Sequence, residues 1–447
     1  MDTPIALIAK GTFGAIVKVF GDGEHYALKI QMVGSSKKND REYEILRDLQ
    51  RLVENRMSPC VLGVRGCART DDLGKTMARV SEMRQTPKDA CLTYQLVKMD
   101  LVHGPNLREY LMAHATLGTS ISLRDLKGIS FQLFWTTAMA SRMMQFKHRD
   151  LKPANIMLSP PKPHVYGVDG STWRTTSRVP IPIDFNLSTS DNNPSDKDWR
   201  CGTLSYMPPE KIYKIKKCAT EEGFCHDPWS LGIILSTMAL CGRGFGNTTA
   251  GINGDEVFNP GKTETIYQLW FPRSEKFKEN LCFQLPDYHW STIRHAVCLS
   301  LFQEALGNGA FPRDWPQFDR TSLCIVLKNN WKSIKSSLSS CKDSVLIAKC
   351  PNIISNQIGY DALSLLQGLF KWNPDERITA DLALTHRFFD GLRVESVVPQ
   401  WRPPTETLCA NCGKQAAHRC SSCKTVHYCS HECLRDDWDS HRYECKK

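Results

Sequence analysis

The last 39 residues hold seven of the chain's 19 cysteines. A segment that short cannot bury enough apolar surface to fold by itself, so something other than a core must hold it. The spacing says what. Cys409-x2-Cys412 is followed after seven residues by Cys420-x2-Cys423, after five more by Cys429-x3-Cys433, and after another seven by His441-x3-Cys445. The first two pairs suit tight turns that present two thiolates to one metal, and the last two place both ligands on one face of a helix. Eight ligands fill two closed tetrahedral zinc sites, and metal binding then supplies the folding energy. His418, His427 and His431 are rival ligands, but none completes a pair as His441 does with Cys445. Disulfides are the competing explanation. The opening M-D-T-P-I-A-L-I-A-K lacks a basic start followed by a long apolar core, so no signal peptide is expected. The chain is expected in the cytoplasm or nucleus, where thiols stay reduced.

At 447 residues, the chain exceeds one ordinary core. No apolar run reaches the roughly 18 residues a membrane span needs. The longest, Leu231 to Cys241, contains Ser236 and Thr237 and suits a buried helix. The net charge of +10 raises nucleic-acid binding as a reading, but the basic residues are scattered, so neither nucleic acid nor membrane is expected as a partner. Residues 1 to about 390 read as one large unit in two lobes. Its first hundred residues are strand-rich, in I-A-L-I-A, A-I-V-K-V-F, H-Y-A-L-K-I and T-Y-Q-L-V-K-M, with an amphipathic helix near 40–53. After Asn106 the pattern turns helical. Stretches 69–90, 159–178 and 242–262 read as loops or insertions, and 391–408 as a proline-containing linker.

The strongest chemical signal is His148-Arg149-Asp150-Leu151-Lys152-Pro153-Ala154-Asn155. This run resembles the H-R-D-L-x-x-x-N catalytic loop of protein kinases, and further motifs of that family follow in order over about residues 3–390. The resemblance implies an α+β, bilobal protein-kinase fold: a kinase domain at 1–390, with a β-rich small lobe at about 1–102 and a helical large lobe at about 103–390. A linker at 391–408 and a small two-zinc finger at 409–447 follow. It further implies an ATP- and Mg²⁺-dependent serine/threonine kinase with protein substrates. Phosphoryl transfer asks for positioning and charge neutralisation more than covalent help. On that pattern Asp150 takes or orients the proton of the attacking hydroxyl, Lys152 approaches the transferred phosphate and marks serine/threonine specificity, and Asn155 holds a metal ion.

Asp184-Phe185-Asn186 follows V-P-I-P-I and resembles the family's D-F-G, with Asp184 as the Mg²⁺ ligand. Asn186 departs from glycine. Asn is the next most tolerant residue of the left-handed backbone region, so the turn is expected to survive. Ala9-Lys10-Gly11-Thr12-Phe13-Gly14-Ala15-Ile16 resembles the glycine-rich loop, with Ala9 in place of the first glycine. Gly11 and Gly14 let backbone amides approach phosphates, and Ile16 takes the loop's apolar position. A simple hairpin turn would explain the stretch equally well. Tyr26-Ala27-Leu28-Lys29 resembles V-A-I-K and assigns Lys29 to the α- and β-phosphates. Glu42 and Glu44 are candidates for its carboxylate. Glu42 shares a helical face with Ile45, Leu46 and Leu49, and Glu44 with Arg47, Asp48 and Arg51, so Glu42 points inward. Leu96 to Leu107 resembles the hinge, with Met99 as gatekeeper and the backbone of Asp100 and Val102 on the adenine.

Gly202-Thr203-Leu204-Ser205-Tyr206-Met207-Pro208-Pro209-Glu210 resembles the end of the activation segment. Thr203 is expected beside Asp150 and Lys152, Glu210 against Arg377, and Asp227 on the catalytic-loop backbone. Arg149 is where the family pairs an arginine with an activation-loop phosphate. The loop offers Ser188, Thr189, Ser190 and Ser195 for modification, and Asp196 or Asp198 as a built-in substitute.

The C-terminal ligands, with Tyr428 before Cys429 and Trp438 before His441, resemble a MYND-type finger. The resemblance implies interleaved sites: Cys409, Cys412, Cys429 and Cys433 on one zinc, Cys420, Cys423, His441 and Cys445 on the other. It also implies a structural module that recruits proline-containing peptides or proteins. The alternative for the whole chain is a pseudokinase adaptor or scaffold acting through the finger.

Overall fold

The computed structural model describes residues 3–11, 14–33, 41–70, 93–168, 171–194, 202–213, 226–243, 288–312, 323–338 and 342–394, and in the finger 418–420, 426–428, 430, 433–435 and 438. The chain divides into two compact units, 1–163 with 175–391 and 164–174 with 392–447.

In the first unit, β1 (Thr3–Gly11), β2 (Gly14–Gly21), β3 (Glu24–Val33), β4 (Val64–Thr70) and β5 (Thr93–Asp100) form an antiparallel sheet in the order β1-β2-β3-β5-β4. Alternation along β2 sends Val17 and Val19 inward, against Tyr26 and Ile30 of β3. Helix α1 (Arg41–Glu54) buries Ile45, Leu46, Leu49 and Leu52, spaced as one helical face requires. β4 is an edge strand that the polar V-R-G-C-A-R-T did not announce. Asp48 is a second departure: it belongs to a face read as solvated, yet it is buried, and its Oδ2 accepts from Asn192 Nδ2 at 3.1 Å.

The helical part begins with α2 (Leu107–Thr116), started by a capping box between Asn106 and Glu109, and α3 (Leu123–Met144), capped by Ser122. The short strands β6 (Ile156–Ser159) and β9 (Val179–Pro182) pair antiparallel. Helix α4 (His226–Leu240) is buried along its whole length. Its hydroxyls are all satisfied: Ser236 and Thr237 donate to the Ile233 carbonyl within the helix, and Ser230 donates to the Tyr206 carbonyl. Among the described residues no helix is long and apolar enough to cross a membrane. Helices α5 (Trp290–Ala305), α6 (Leu323–Leu338), α7 (Lys342–Gln357) and α8 (Tyr360–Leu369) follow, and a short helix at Ala380–Leu384 comes after them.

In the second unit, β7 (His164–Val168) and β8 (Ser171–Thr175) form a hairpin inside the stretch read as an insertion. Residues 393–394 add to it. Trp173 bridges Arg393, the Val394 N–H donates to the Thr172 carbonyl at 2.9 Å, and the Arg393 guanidinium lies 5.7 Å from the Trp173 ring centre. In the finger, β10 (His418–Arg419) pairs with β11 (His427–Tyr428). Cys420 and Tyr428 are buried together, with Val426, Cys433 and Leu434 against them.

Candidate active site

The catalytic loop is hung from below. Asp227, at the start of α4, accepts the backbone N–H of His148 at 2.7 Å and of Arg149 at 2.9 Å. Burial pushes its carboxyl up, but hydrogen bonds from His226 and from the His148 backbone outweigh this and hold it at about 2. Arg149 takes the left-handed conformation, φ 68°. Gly202 approaches the Arg149 carbonyl so closely that a Cβ would lie 2.7 Å from its oxygen, and with φ 121° only glycine suits this crossing.

That suspension presents Asp150 with both carboxylate oxygens occupied. Oδ1 accepts from the Thr203 backbone at 2.9 Å and from its hydroxyl at 2.7 Å. Oδ2 accepts from Lys152 Nζ at 2.9 Å and Asn155 Nδ2 at 3.1 Å. Lys152 also donates to the Thr203 hydroxyl at 2.9 Å. The carboxylate is thus held in one rotamer beside an ammonium group. The Asn155 amide nitrogen is spent on Asp150, through its carbonyl as well as its carboxylate, which leaves Oδ1 as the hard oxygen it can offer a cation. The Ile183 N–H donates to the Asn155 carbonyl and ties this loop to the Asp184 segment.

Across the cleft, Lys29 Nζ lies 2.7 Å from Glu42 Oε1 and 3.3 Å from Asp184 Oδ1. Of the two glutamates weighed for Lys29, Glu42 is the one that meets it, and it is buried. Gln31, two residues along β3 and therefore on the face of Lys29, donates to Glu42 Oε2 at 2.8 Å and to Asn186 Oδ1 at 3.1 Å. Asn186 Nδ2 donates to Asp184 Oδ1 at 2.6 Å. The period-two rule could have found Gln31; it carries no motif, and motif reading passes it over.

The Asn186 expectation needs correcting. The left-handed residue of this turn is Asp184, at φ 67° and ψ 70°, while Asn186 lies within a short 3-10 turn, Phe185–Leu187. Glycine's backbone freedom is not what this position uses; it uses an amide side chain.

Gly14 pairs with Gly11 across the β1–β2 hairpin, whose turn residues lie outside those described. A Cβ on Gly14 would collide with the Ile30 carbonyl oxygen, so that glycine is required by the β2–β3 packing. Ile16 lies opposite Lys29 in the sheet register. Met99 is buried at the end of β5, opposite Ala27. The Asp100 N–H is bonded to the Gly63 carbonyl at 2.8 Å. Val102 follows in the half-buried connection to α2.

Glu210 and Arg377 form a two-pronged pair at 2.9 and 3.0 Å. In the activation segment the structure limits the sites offered for modification: Ser188, Thr189 and Ser190 are all buried. Ser195, Asp196 and Asp198 lie outside the described residues, so the pairing expected for Arg149 does too. Arg149 Nη1 reaches the Leu187 carbonyl at 3.4 Å.

Of the expected zinc ligands, Cys420 and Cys433 are described, and they pack in one small cluster without a disulfide. Cys409, Cys412, Cys423, Cys429, His441 and Cys445 lie outside the described residues. The buried Cys420, the half-buried Cys433 and the short β10–β11 pair fit a metal-organised fold, since two-residue strands bury too little to stand alone.

The protein kinase domain model matches residues 3–389. The chain belongs to the protein kinase family. The MYND finger model matches residues 409–445, C-terminal to it. The serine/threonine-protein kinase AFC1 of Arabidopsis thaliana is 24% identical over 419 residues, covering 88% of this chain and 72% of that protein. The probable serine/threonine-protein kinase 2 of Plasmodium falciparum is 31% identical over 195 residues, 42% of this chain and 33% of that protein. For the finger, Tudor domain-containing protein 1 of Oryzias latipes is 49% identical over 43 residues, 10% of this chain and 4% of that protein. Membership of these two families carries with it use of ATP and Mg²⁺ at the cleft, zinc binding in the finger, and a role for the finger in protein interaction.

Proposed function

We propose that this chain transfers the γ-phosphoryl group of ATP to serine or threonine hydroxyls of protein substrates, and that its finger, holding two zinc ions, recruits a partner through a proline-containing segment. The carrying observation is the joint placement of Asp150, Lys152, Asn155 and Thr203 in one hydrogen-bonded cluster, with Lys29 braced by Glu42 beside Asp184.

The substrate hydroxyl oxygen forms the new bond to phosphorus as the bond to the β–γ bridging oxygen breaks, and its proton passes to the Asp150 carboxylate. Lys152 stands beside Asp150 to neutralise charge on the transferred group. Lys29 holds the α- and β-phosphates, Gly11 and Gly14 keep the loop above them close, and Met99, Asp100 and Val102 hold the adenine. Mg²⁺ supplies charge neutralisation on the β- and γ-phosphates; Asp184 and Asn155 offer the oxygens that would hold it. The cytoplasm or nucleus is the compartment that suits cysteines outside disulfides, as at Cys60, Cys67, Cys241, Cys298, Cys324 and Cys350.

An adaptor that only binds would not need Asp150 held by four donors. Phosphate transfer from labelled ATP to a generic basic protein tests the reading. Wild type should label it, and Asp150→Asn should lose at least about a hundredfold in rate, the scale of a general-base contribution. Equal labelling by both proteins would refute the role of Asp150, and nucleotide binding without transfer by wild type would favour the adaptor.

A further inference from the structure

The polar side chains around Asp184 close into a ring. Lys29 links Asp184 Oδ1 to Glu42 Oε1, Gln31 links Glu42 Oε2 to Asn186 Oδ1, and Asn186 Nδ2 returns to Asp184 Oδ1. The direction of each amide follows from chemistry. Carboxylates only accept, so the Gln31 group facing Glu42 and the Asn186 group facing Asp184 must both be NH₂. That turns the Asn186 oxygen toward the Gln31 nitrogen, and the ring has no donor facing a donor. Glu42 and Gln31 are buried, as is Lys29, so these bonds are sheltered from competing water.

From this ring we infer that Asn186 and Gln31 are positioning residues for the metal-binding carboxylate, and that Asn186 replaces glycine for that purpose. The inference rests on the kinase reading above. Two donors, Lys29 and Asn186, converge on Asp184 Oδ1. They fix the carboxylate plane and leave Oδ2 as the oxygen presented to a cation. A glycine at 186 supplies neither the donor nor the acceptor that Gln31 meets. Gln31 in turn joins β3 to α1 through Glu42 and to the Asp184 turn through Asn186, so one side chain ties together the three elements that carry Lys29, Glu42 and Asp184. A second tie lies further along the same segment, where Asn192 donates to Asp48 and Arg41 donates to the Asn193 carbonyl. Helix α1 is therefore gripped by the activation segment in its first turn, at Arg41 and Glu42, and again at Asp48, through side chains that need no phosphate.

The test uses the full chain with Asn186→Gly, Gln31→Met and the double variant, and ADP as the nucleotide. Calorimetric titration gives the Mg²⁺ concentration that half-saturates the increase in ADP affinity. Each single variant should raise that concentration about three- to tenfold, the range for loss of a coupled polar contact. The double variant should match the singles within twofold, because either change opens the ring. ADP affinity without metal should stay within twofold, since Lys29 keeps Glu42. Amide exchange of residues 184–187 in the metal-free protein should rise in both singles. An unchanged Mg²⁺ requirement in Asn186→Gly, or singles whose effects multiply in the double, would overturn the assignment. If Gln31→Met does not fold, Asn186→Gly decides alone. Failure of the kinase reading looks different: wild type would then bind no nucleotide or transfer no phosphate, whereas failure of the positioning role leaves ADP bound with the same metal requirement in every variant.

Discussion

The Glu210–Arg377 pair sets two substitutions of equal size against each other. The Arg377 side chain is fully buried, and the Glu210 side chain is 12% exposed. Arg377 donates two charge-assisted bonds to Glu210, a third to the Lys371 carbonyl at 3.2 Å, and lies 4.9 Å from the Trp229 ring centre. Removing one partner of such a pair costs about 3–5 kcal/mol, because the other charge is left buried. The two remnants are not equivalent. Arg377→Met leaves a carboxyl that can escape by taking a proton, since burial without a partner raises its pKa. Glu210→Gln leaves a guanidinium that cannot shed its charge. Both variants should lose about 3–5 kcal/mol in urea unfolding at pH 7. At pH 5 the deficit of Arg377→Met relative to wild type should shrink by about 1 kcal/mol as Glu210 protonates, while that of Glu210→Gln should hold. Deficits under about 1 kcal/mol would refute the buried-pair argument, and equal pH dependence in both would refute the asymmetry.

Burial holds the His295 imidazole down at about 3 and lowers His226 as well. Each stays neutral when folded and takes a proton when unfolded below about pH 6.5, so its contribution is intact above that pH and is lost as the pH falls; for His295 the loss runs at about 1.4 kcal/mol per pH unit toward pH 3. Denaturation at pH 7, 6 and 5 should show this slope, and His295→Gln should lose one ring's share of it. Gly14→Ala should lower melting temperature and nucleotide affinity together, at a cost of about 1–3 kcal/mol for the collision with Ile30; a variant that melts like wild type would remove the packing argument. Elemental analysis should find two zinc ions per chain. Chelation should expose Cys420 and Cys433 to alkylation, read by peptide mass mapping, and thiols that stay protected without zinc would show that metal does not hold the finger.

Residues whose role is carried by chain-local pattern were legible in the sequence. The helical spacing of Glu42 with Ile45, Leu46 and Leu49 separated it from Glu44 because a helix face is a property of one segment. Asp150, Asn155, Asp184 and Lys29 were found through motifs, and the structure brings them to one cleft. What escaped depends on partners distant in sequence. Asp48 lies on the polar side of α1 by spacing, and Asn192, 144 residues on, gives it a buried bond. β4 offers little apolar alternation because an edge strand needs burial on only part of its surface. The hairpin at 164–175 read as a loop because the bridge that extends it comes from residues 393–394. Asn186 was weighed for its backbone tolerance, while its contribution lies in a side chain that meets Gln31, 155 residues away.

That hairpin also bears on the order of assembly. Its contact between Ser171 and Arg393 joins residues 222 positions apart. Closing so wide a loop costs little more entropy than closing one half as long, roughly 0.6 kcal/mol per doubling, provided the intervening chain is already compact. During synthesis β7 and β8 emerge long before residues 393–394 exist, and their free edge is a pairing template in that interval. The bridging segment at 393–394 can dock only after the chain up to Gly391 has been made. Its arrival therefore marks the completion of the whole kinase domain, and protection of the Val394 amide would be a late reporter of folding.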